Sequence, residues 1–265
     1  MSDWLHSLAV VWMAVAFFGF AYLSAAVIYA VVVLPAGIRV RVRGFAAGML
    51  SPMGTLFALF VVFTAAQVWT DRDRATAAVD EEASALRAAM ILAATFPGDS
   101  QRHLESLIRS HIEEAATNEW PMMAHQTSTL NTVPPQLAEA LQFTLAIKPS
   151  SQGQEIAQRE MSAGLESALA ARRQRILISQ SSVSWLKWAG LFVQAICVLV
   201  AIALAHGDNR GAALIAMGLF ATGAAACLLL IGAYDRPFLG QFSIRPDPLL
   251  QVMPKPLSPS AELKQ

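Results

Sequence analysis

The residues with the most catalytic potential in this chain are two histidines and the acids beside them. His103 and His111 lie eight residues apart in one predicted helix, with Glu113 and Glu114 nearby. A helical two-histidine zinc site needs a spacing of four residues, which places both rings on one metal ion. That spacing is absent. We therefore predict no metal site here and expect both histidines on the surface.

The other familiar catalytic patterns are also missing from the sequence. It has no glycine-rich phosphate loop, no nucleophile elbow and no cysteine–histidine zinc pattern. Glu119, in "NEWP", is a lone acid beside Trp120, and such an acid is more often a cap or an ion-pair partner than a general acid. The 19 basic and 19 acidic residues balance, so no positive field favours nucleic acid. We predict neither an enzyme nor a nucleic-acid-binding protein, and no cofactor.

Polar residues inside an apolar run carry more information. An amide that faces lipid is costly, so Gln67 must face protein or water, and Thr64 lies on the same side of a helix. Bulky phenyl rings precede these two residues, an order that suits a hydrophobic constriction opening into a wetter vestibule. This pattern predicts five pore-lining residues: Phe57, Phe60, Thr64, Gln67 and Asp71. The alternative is an ordinary helix–helix interface joined by Gln67.

The composition indicates which elements must position these residues. Apolar residues make up 55% of the chain and charged residues only 14%, in clusters that leave four long runs almost free of charge. About 20 apolar residues suffice to cross a bilayer. We predict an all-α integral membrane protein with transmembrane helices at residues 8–34, 52–69, 185–205 and 211–233. Ser51 suits the N-cap of the second span, and Pro52 suits its first turn.

Four spans place both termini and the long polar insert, residues 70–183, on the same side of the membrane. Aromatic residues at the span ends support this arrangement, because they form an interfacial belt on that side: Trp4, Trp69, Trp185, Trp188 and Tyr234. The arginines leave the orientation open, since "RVRVR" in the first loop opposes a more numerous set on the other side. The insert is predicted to be helical, with one helix ending before Pro121 and another starting at Pro134 or Pro135. The tail, residues 234–265, is expected to be extended or loose beyond Pro246.

Four stretches occur in order along nearly the whole chain. They are "GTLFALFVVFTAAQVW" running into "AAVDEEASAL", then "NEWP", "ARRQRI" and "DRPFLGQFSI". Together they resemble the bestrophin-like domain family, a mostly bacterial set of membrane proteins. The resemblance implies four spans in the bacterial inner (plasma) membrane. It also implies a helical cytoplasmic domain inserted between the second and third spans, beside two cytoplasmic termini.

The resemblance also singles out a set of motif residues. They are Glu82, Glu119, Trp120, Pro121, Arg172, Arg173, Arg175, Asp235, Arg236, Pro237, Phe238 and Gly240. We expect Glu82 to pair with the Arg172 cluster and Asp235–Arg236 to join that layer. Pro237 would end the fourth helix, and Gly240 would permit the chain to turn back. Such ion pairs add little stability but can fix the register between helices.

Similarity to true bestrophins implies a homo-oligomeric ion channel, a pentamer, with the second spans lining a pore for small inorganic ions. We favour small anions. The run of consecutive acidic residues used for calcium sensing in bestrophins is absent here, so calcium gating is not carried over. The alternative function is a non-conducting membrane scaffold or sensor whose helical insert binds a partner.

Overall fold

The computed structural model describes residues 10–34, 39–131, 133–206 and 208–254, with the backbone alone for residues 39–47. Within these residues every regular element is helical. In chain order the helices are α1 (Val10–Ile28), a π-helical turn (Tyr29–Val33), α2 (Arg39–Ala93), α3 (Gly98–Glu114), a second π-helical turn (Ala115–Glu119), α4 (Trp120–Ala124), α5 (Pro135–Ala146), α6 (Gln152–Ser179), α7 (Trp185–Ala205), α8 (Arg210–Tyr234) and α9 (Asp247–Gln251).

Four of these helical segments are long and apolar enough to cross a membrane, as predicted. They are Val10–Val33, Gly48–Ala93, Trp185–Ala205 and Arg210–Tyr234. The third agrees with its prediction residue for residue, and the fourth extends one residue further at each end. The chain divides into two compact units, Met1–Arg72 with Ser181–Ser243 and Asp73–Gln180 with Ile244–Gln265.

The prediction that a helix starts at Ser51 and Pro52 is wrong. Helix α2 begins at Arg39, so "RVRVR" is helical rather than a loop, and Pro52 lies inside the helix instead of in its first turn. The apolar residues before Ser51 continue the helical segment, which outweighs the local Ser–Pro signal. A proline inside a membrane helix is tolerated because neighbouring groups can satisfy the carbonyl that its missing N–H leaves free.

Small residues let α1 and α8 approach closely in the first unit. Ala21 and Ala25 of α1 are buried, and so are Ala221 and Ala225 of α8. At Gly232 the ring of Phe17 leaves no room, since a Cβ there would lie 3.0 Å from Cε2 of that ring.

In the second unit the distal half of α2 lies antiparallel to α6. Ser167 donates to Glu81 of α2 (3.2 Å), and Gln154 donates to the carbonyl of Thr95, just past the end of α2 (2.9 Å). Between these contacts Gly164 faces the α2 backbone, where a Cβ would lie 3.4 Å from the carbonyl oxygen of Ala85. This antiparallel pairing brings side chains near the start of the insert close to side chains near its end.

Three predictions for the insert and tail have different outcomes. The start of a helix at the Pro134–Pro135 pair is confirmed by α5. The predicted stop before Pro121 is wrong, because a π-helical turn leads directly into α4, which contains that proline near its start. The tail beyond Pro246 is not wholly extended, since α9 forms there. Residues 255–265 of the predicted tail and Trp4 of the predicted belt lie outside the described residues.

Candidate functional site

The centre of the second unit is a cluster of buried ion pairs built around Arg175. Its Nε donates to Glu82 Oε2 at 2.9 Å, and its Nη2 donates to Glu82 Oε1 at 3.2 Å. The same Nη2 reaches Glu119 Oε2 at 3.0 Å. Both Glu82 and Arg175 have an exposed fraction of 0%. A guanidinium that bridges two carboxylates in this way gives strong, directional bonds and fixes three helical elements to one another.

Arg172, one turn before Arg175 on α6, completes the charge balance. Its Nε donates to Glu119 Oε1 at 2.8 Å, and its Nη2 contacts the same oxygen. The cluster therefore holds two carboxylates and two guanidinium groups. The prediction that Glu82 pairs with the arginines near "ARRQRI" is confirmed, with Arg175 as its partner, whereas Arg172 pairs with Glu119.

The indole of Trp120 covers Arg175. The guanidinium carbon lies 4.6 Å from the centroid of the ring, a distance suited to a cation–π contact. The indole Nε1 donates to the carbonyl of Ile244 at 2.9 Å. The π-helical turn Ala115–Glu119 precedes this residue, and such turns often occur at functional sites. Together these contacts attach the segment that begins at Ile244 to the cluster.

His111 is a residue that the sequence reasoning misplaced. It is 1% exposed rather than on the surface, and its Nε2 donates to Glu82 Oε1 at 2.9 Å. The signal was present in the sequence, because Leu104, Ile108, His111 and Ala115 follow the spacing of a buried helical stripe. The prediction rested on the distance between two histidines instead of on this periodicity. His103 is partly exposed, and its Nε2 lies 3.6 Å from Glu139.

Two motif residues of the insert lie outside the buried ion-pair cluster. Arg173 and Pro121 are both exposed. Within the described residues, no three histidine, cysteine or acidic side chains come together as they would around a metal ion.

The charges of the cluster are mutually stabilised. Burial alone would raise the pKa of the Glu82 carboxyl, but the Arg175 guanidinium and the bond from His111 outweigh burial and hold that pKa below its ordinary value. Burial likewise opposes the charged form of Arg175, yet Glu82 and Glu119 raise its pKa above the ordinary value. Both groups therefore stay charged at neutral pH. Permanently charged, paired groups suit a structural role, in which they hold the helices together, better than general acid or base catalysis.

The lowered pKa of Glu82 predicts sensitivity to acid. The unfolded chain takes up this proton at a higher pH than the folded protein does, so the free energy of unfolding falls as the pH drops through and below the ordinary glutamate value of 4.5. Above that value the contribution is complete. Chemical denaturation of the full-length protein in mild detergent, repeated across acidic pH, measures this slope. Glu82→Gln should flatten it, and an unchanged slope in that variant would contradict the assignment.

The motif residues that follow the fourth span form a second constellation, in the first unit. Asp235 is buried, and its Oδ1 accepts a bond from the backbone N–H of Val183, just before the third span, at 2.6 Å. Arg236, Pro237 and Phe238 are also buried. Gly240 has a φ of 96°, which side-chain-bearing L residues rarely adopt, in agreement with its predicted role in the turn.

The same segment reaches the ends of the first and second spans. Gln241 Oε1 accepts from the backbone N–H of Val10 at 3.3 Å, and Arg72 donates to the carbonyl of Phe242. The Arg72 guanidinium also lies 5.1 Å from the ring centroid of Tyr234, which stacks on Phe242. The stretch "YDRPFLGQF" thus joins the ends of all four spans at one level. The predicted link between Asp235–Arg236 and the ion pairs of the insert would join residues of different units, and it stays a prediction.

One side of the second span is covered by other helices of the same chain. Phe57 is buried with its ring centroid 5.4 Å from that of Phe220 on α8. Phe60 packs so closely on Gly190 of α7 that a Cβ there would lie 2.7 Å from the ring. Thr64 is 3% exposed and donates to the carbonyl of Phe60 (2.8 Å). The burial of Phe57 and Thr64 favours the helix–helix interface that was the alternative for this face.

The amides within the spans have protein partners, as their cost in lipid predicts. Gln67, half-buried, accepts a bond from Lys187 of α7. Gln194 in mid-α7 donates to the carbonyl of Met53 at 3.0 Å. Trp188, expected in the interfacial belt, is instead 2% exposed and stacks between Phe17 and Phe192. Pore lining by Phe60, Gln67 and Asp71, which are half-buried, stays a prediction.

The four apolar helices and the two constellations of motif residues define an integral membrane protein. The chain matches the family model described as bestrophin-like domain over residues 15–249. It therefore belongs to the bestrophin-like domain family. No curated protein and no solved structure matches it.

Proposed function

We propose that this protein is the subunit of an oligomeric ion channel in the bacterial inner membrane, with the second spans surrounding a path for small anions. Family membership supports a channel rather than an enzyme. The observation that carries the proposal is the asymmetry of α2. One side is covered by the subunit's own α7 and α8, and the opposite side is open along the whole apolar segment.

The open side of α2 has the pattern of a narrow, dewettable path. At 100° per residue its exposed residues Thr55, Leu59, Val62, Ala66 and Thr70 lie within about 40° of one line. Leu59 and Val62, in the middle, are 47% and 59% exposed. Hydroxyl groups mark both ends of the stripe. Several copies arranged around an axis would place a ring of apolar side chains between two rings of hydroxyls, which suits hydrophobic gating.

This proposal assigns different tasks to the two sides of the second span. Phe57 and Thr64 hold α2 against its own subunit. Leu59 and Val62 form the constriction. Gln67 and Asp71 lie outside the stripe, at the level where it ends and where the chain continues into the insert. The proposed orientation puts the insert and both termini in the cytoplasm, as the resemblance implies.

Cysteine substitution at two neighbouring positions tests which side faces the path. In a background where Cys197 and Cys227 are replaced by serine, Leu59→Cys should be blocked by a charged, water-soluble thiol reagent in reconstituted protein. Phe57→Cys, two residues away on the covered side, is the matched control and should be unaffected. Block at Phe57→Cys with none at Leu59→Cys would overturn the assignment of the two sides.

A second candidate function is the non-conducting scaffold or sensor. The burial of Phe57 and Thr64 favours it, because a helix–helix interface explains the polar residues of the second span without a pore. Oligomeric state in mild detergent distinguishes the two proposals. A ring of five subunits supports the channel, and a monomer supports the scaffold.

A further inference from the structure

A single lysine stands out within the described spans. Between Val10 and Val33 and between Gly48 and Trp69 there is no acidic or basic residue. In α8 the one such residue is Arg210, at its first position. Lys187 lies in the first turn of α7, inside the apolar segment. An ionisable group within a membrane span is costly, so its position and partner point to function.

Lys187 has a neutral partner. Its side chain is half-buried, and Nζ donates to Oε1 of Gln67 on α2. No carboxylate forms an ion pair with Lys187 in the part of the chain that the structure describes. Asp71, one turn further along α2 from Gln67, makes no bond to it. The hydrogen bond to Gln67 therefore does not neutralise the positive charge of Lys187.

Lys187 and Gln67 together have N–H donors to spare, whereas the acceptor oxygen of Gln67 is already occupied by Lys187. A lysine ammonium has three N–H groups and cannot accept, so the oxygen of the Gln67 amide must face it. The amide nitrogen, with two more N–H groups, is then left to point elsewhere. A site composed of N–H donors with one net positive charge attracts anions and repels cations.

The pair lies at the border between the covered and the open side of the second span, because Gln67 is half-buried against α7. Gln67 is about 60° around the helix from Thr70, which ends the exposed stripe, and less than one turn before it. Trp69 and Trp185, both strongly exposed, mark this level as the end of the apolar segments. An ion that moves along the stripe would pass this level on entering or leaving the membrane.

We infer that Lys187 determines the preference for anions at this mouth of the path and that Gln67 is the residue that positions it. This inference rests on the proposed channel function and adds the side chain that discriminates between ion charges. A pair that served only to join α2 and α7 would leave ion selectivity unchanged when its charge alone is altered.

Reversal potentials of the reconstituted full-length protein under a potassium chloride gradient test the inference. Lys187→Gln should lower the ratio of chloride to potassium permeability by about tenfold, because a unit charge within several ångströms of the path contributes that much at an effective dielectric constant between those of protein and water. Lys187→Arg keeps the charge and should keep the ratio. Gln67→Glu keeps Lys187 but neutralises it, and should lower the ratio in the same direction.

Lys148→Gln is the matched control, since it removes one exposed positive charge in the insert and should leave the ratio unchanged. Equal elution of all variants as the wild-type oligomer shows that assembly is intact. If wild type, Lys187→Gln and Gln67→Glu all carry current with the same reversal potential, the role of Lys187 in selectivity is overturned, but the channel function is not. Absence of any current from the wild-type oligomer would overturn the channel function and this role with it.

Discussion

Replacing Arg175 with methionine is expected to lower the free energy of unfolding by about 3–5 kcal/mol, because it leaves two buried carboxylates without the guanidinium that they share. Glu82 loses both bonds from Arg175 and keeps only the one from His111, while Glu119 keeps Arg172. Chemical denaturation of the full-length protein in mild detergent, followed by tryptophan fluorescence, measures the change. Trp120 lies directly on the substituted side chain, so its emission should report the transition of this unit.

Arg173→Met supplies the matched control, since the neighbouring arginine is exposed and its loss should cost less than about 0.5 kcal/mol. The double variant Glu82→Met with Arg175→Met removes one charge of each sign. It should recover most of the stability, because the large cost comes from an unpaired buried charge and not from the absence of the pair. A loss below about 1 kcal/mol in Arg175→Met would show that water already reaches the cluster, in conflict with its burial.

Replacing Trp120 with alanine should cost a similar amount, about 3–5 kcal/mol, since a large buried aromatic side chain leaves a cavity that the helices cannot fill. The substitution also removes the ring that covers Arg175 and the donor to the Ile244 carbonyl. The segment from Ile244 onward should then be cleaved more readily. Limited proteolysis of the detergent-purified protein, with mass spectrometry of the released peptides, detects this change.

Trp120→Phe separates packing from hydrogen bonding. The phenyl ring preserves most of the packing and the face toward Arg175, so we expect a loss of only about 1–3 kcal/mol for the unsatisfied carbonyl. Proteolysis near residue 244 should still increase. Should the phenylalanine variant be as unstable as the alanine variant, the hydrogen bond would be the main contribution of Trp120, and the packing account would be wrong.

The spans could be predicted from sequence because their signal is strong and local. A run of 20 residues with almost no charge has few structural alternatives, and the third and fourth spans accordingly match their predicted bounds closely. The start of α2 could not be predicted in the same way. Ser51 and Pro52 form a good local signal for the start of a helix. A helix begins there only if the preceding residues are not helical, and in this chain they are helical from Arg39 onward.

The ion pairs were predictable as a group but not as individual bonds. Family motifs indicated Glu82, Glu119 and the arginines of "ARRQRI". Which arginine meets which acid depends on the register between α2, α6 and the π-helical turn, and no short sequence pattern specifies that register. His111 is the opposite case: the apolar stripe on α3 is enough to indicate its burial, and the prediction of a surface position came from the spacing of the two histidines instead.

The second span illustrates why a helical face does not by itself reveal its environment. Phe57, Phe60, Thr64 and Gln67 share a face whether that face lines water or contacts other helices, since both give the same periodicity. In the structure, other helices of the same chain bury Phe57 and Thr64. The opposite side, from Thr55 to Thr70, gives no sequence signal of its own, because its central residues are apolar and resemble an ordinary lipid-facing surface.

Chloride efflux from liposomes that contain the purified wild-type oligomer tests the central claim most directly. The account predicts an efflux that scales with the number of oligomers per vesicle and that a charged thiol reagent abolishes when Leu59 is replaced by cysteine. Efflux no faster than from empty liposomes, with the oligomer shown to be intact after reconstitution, would contradict it.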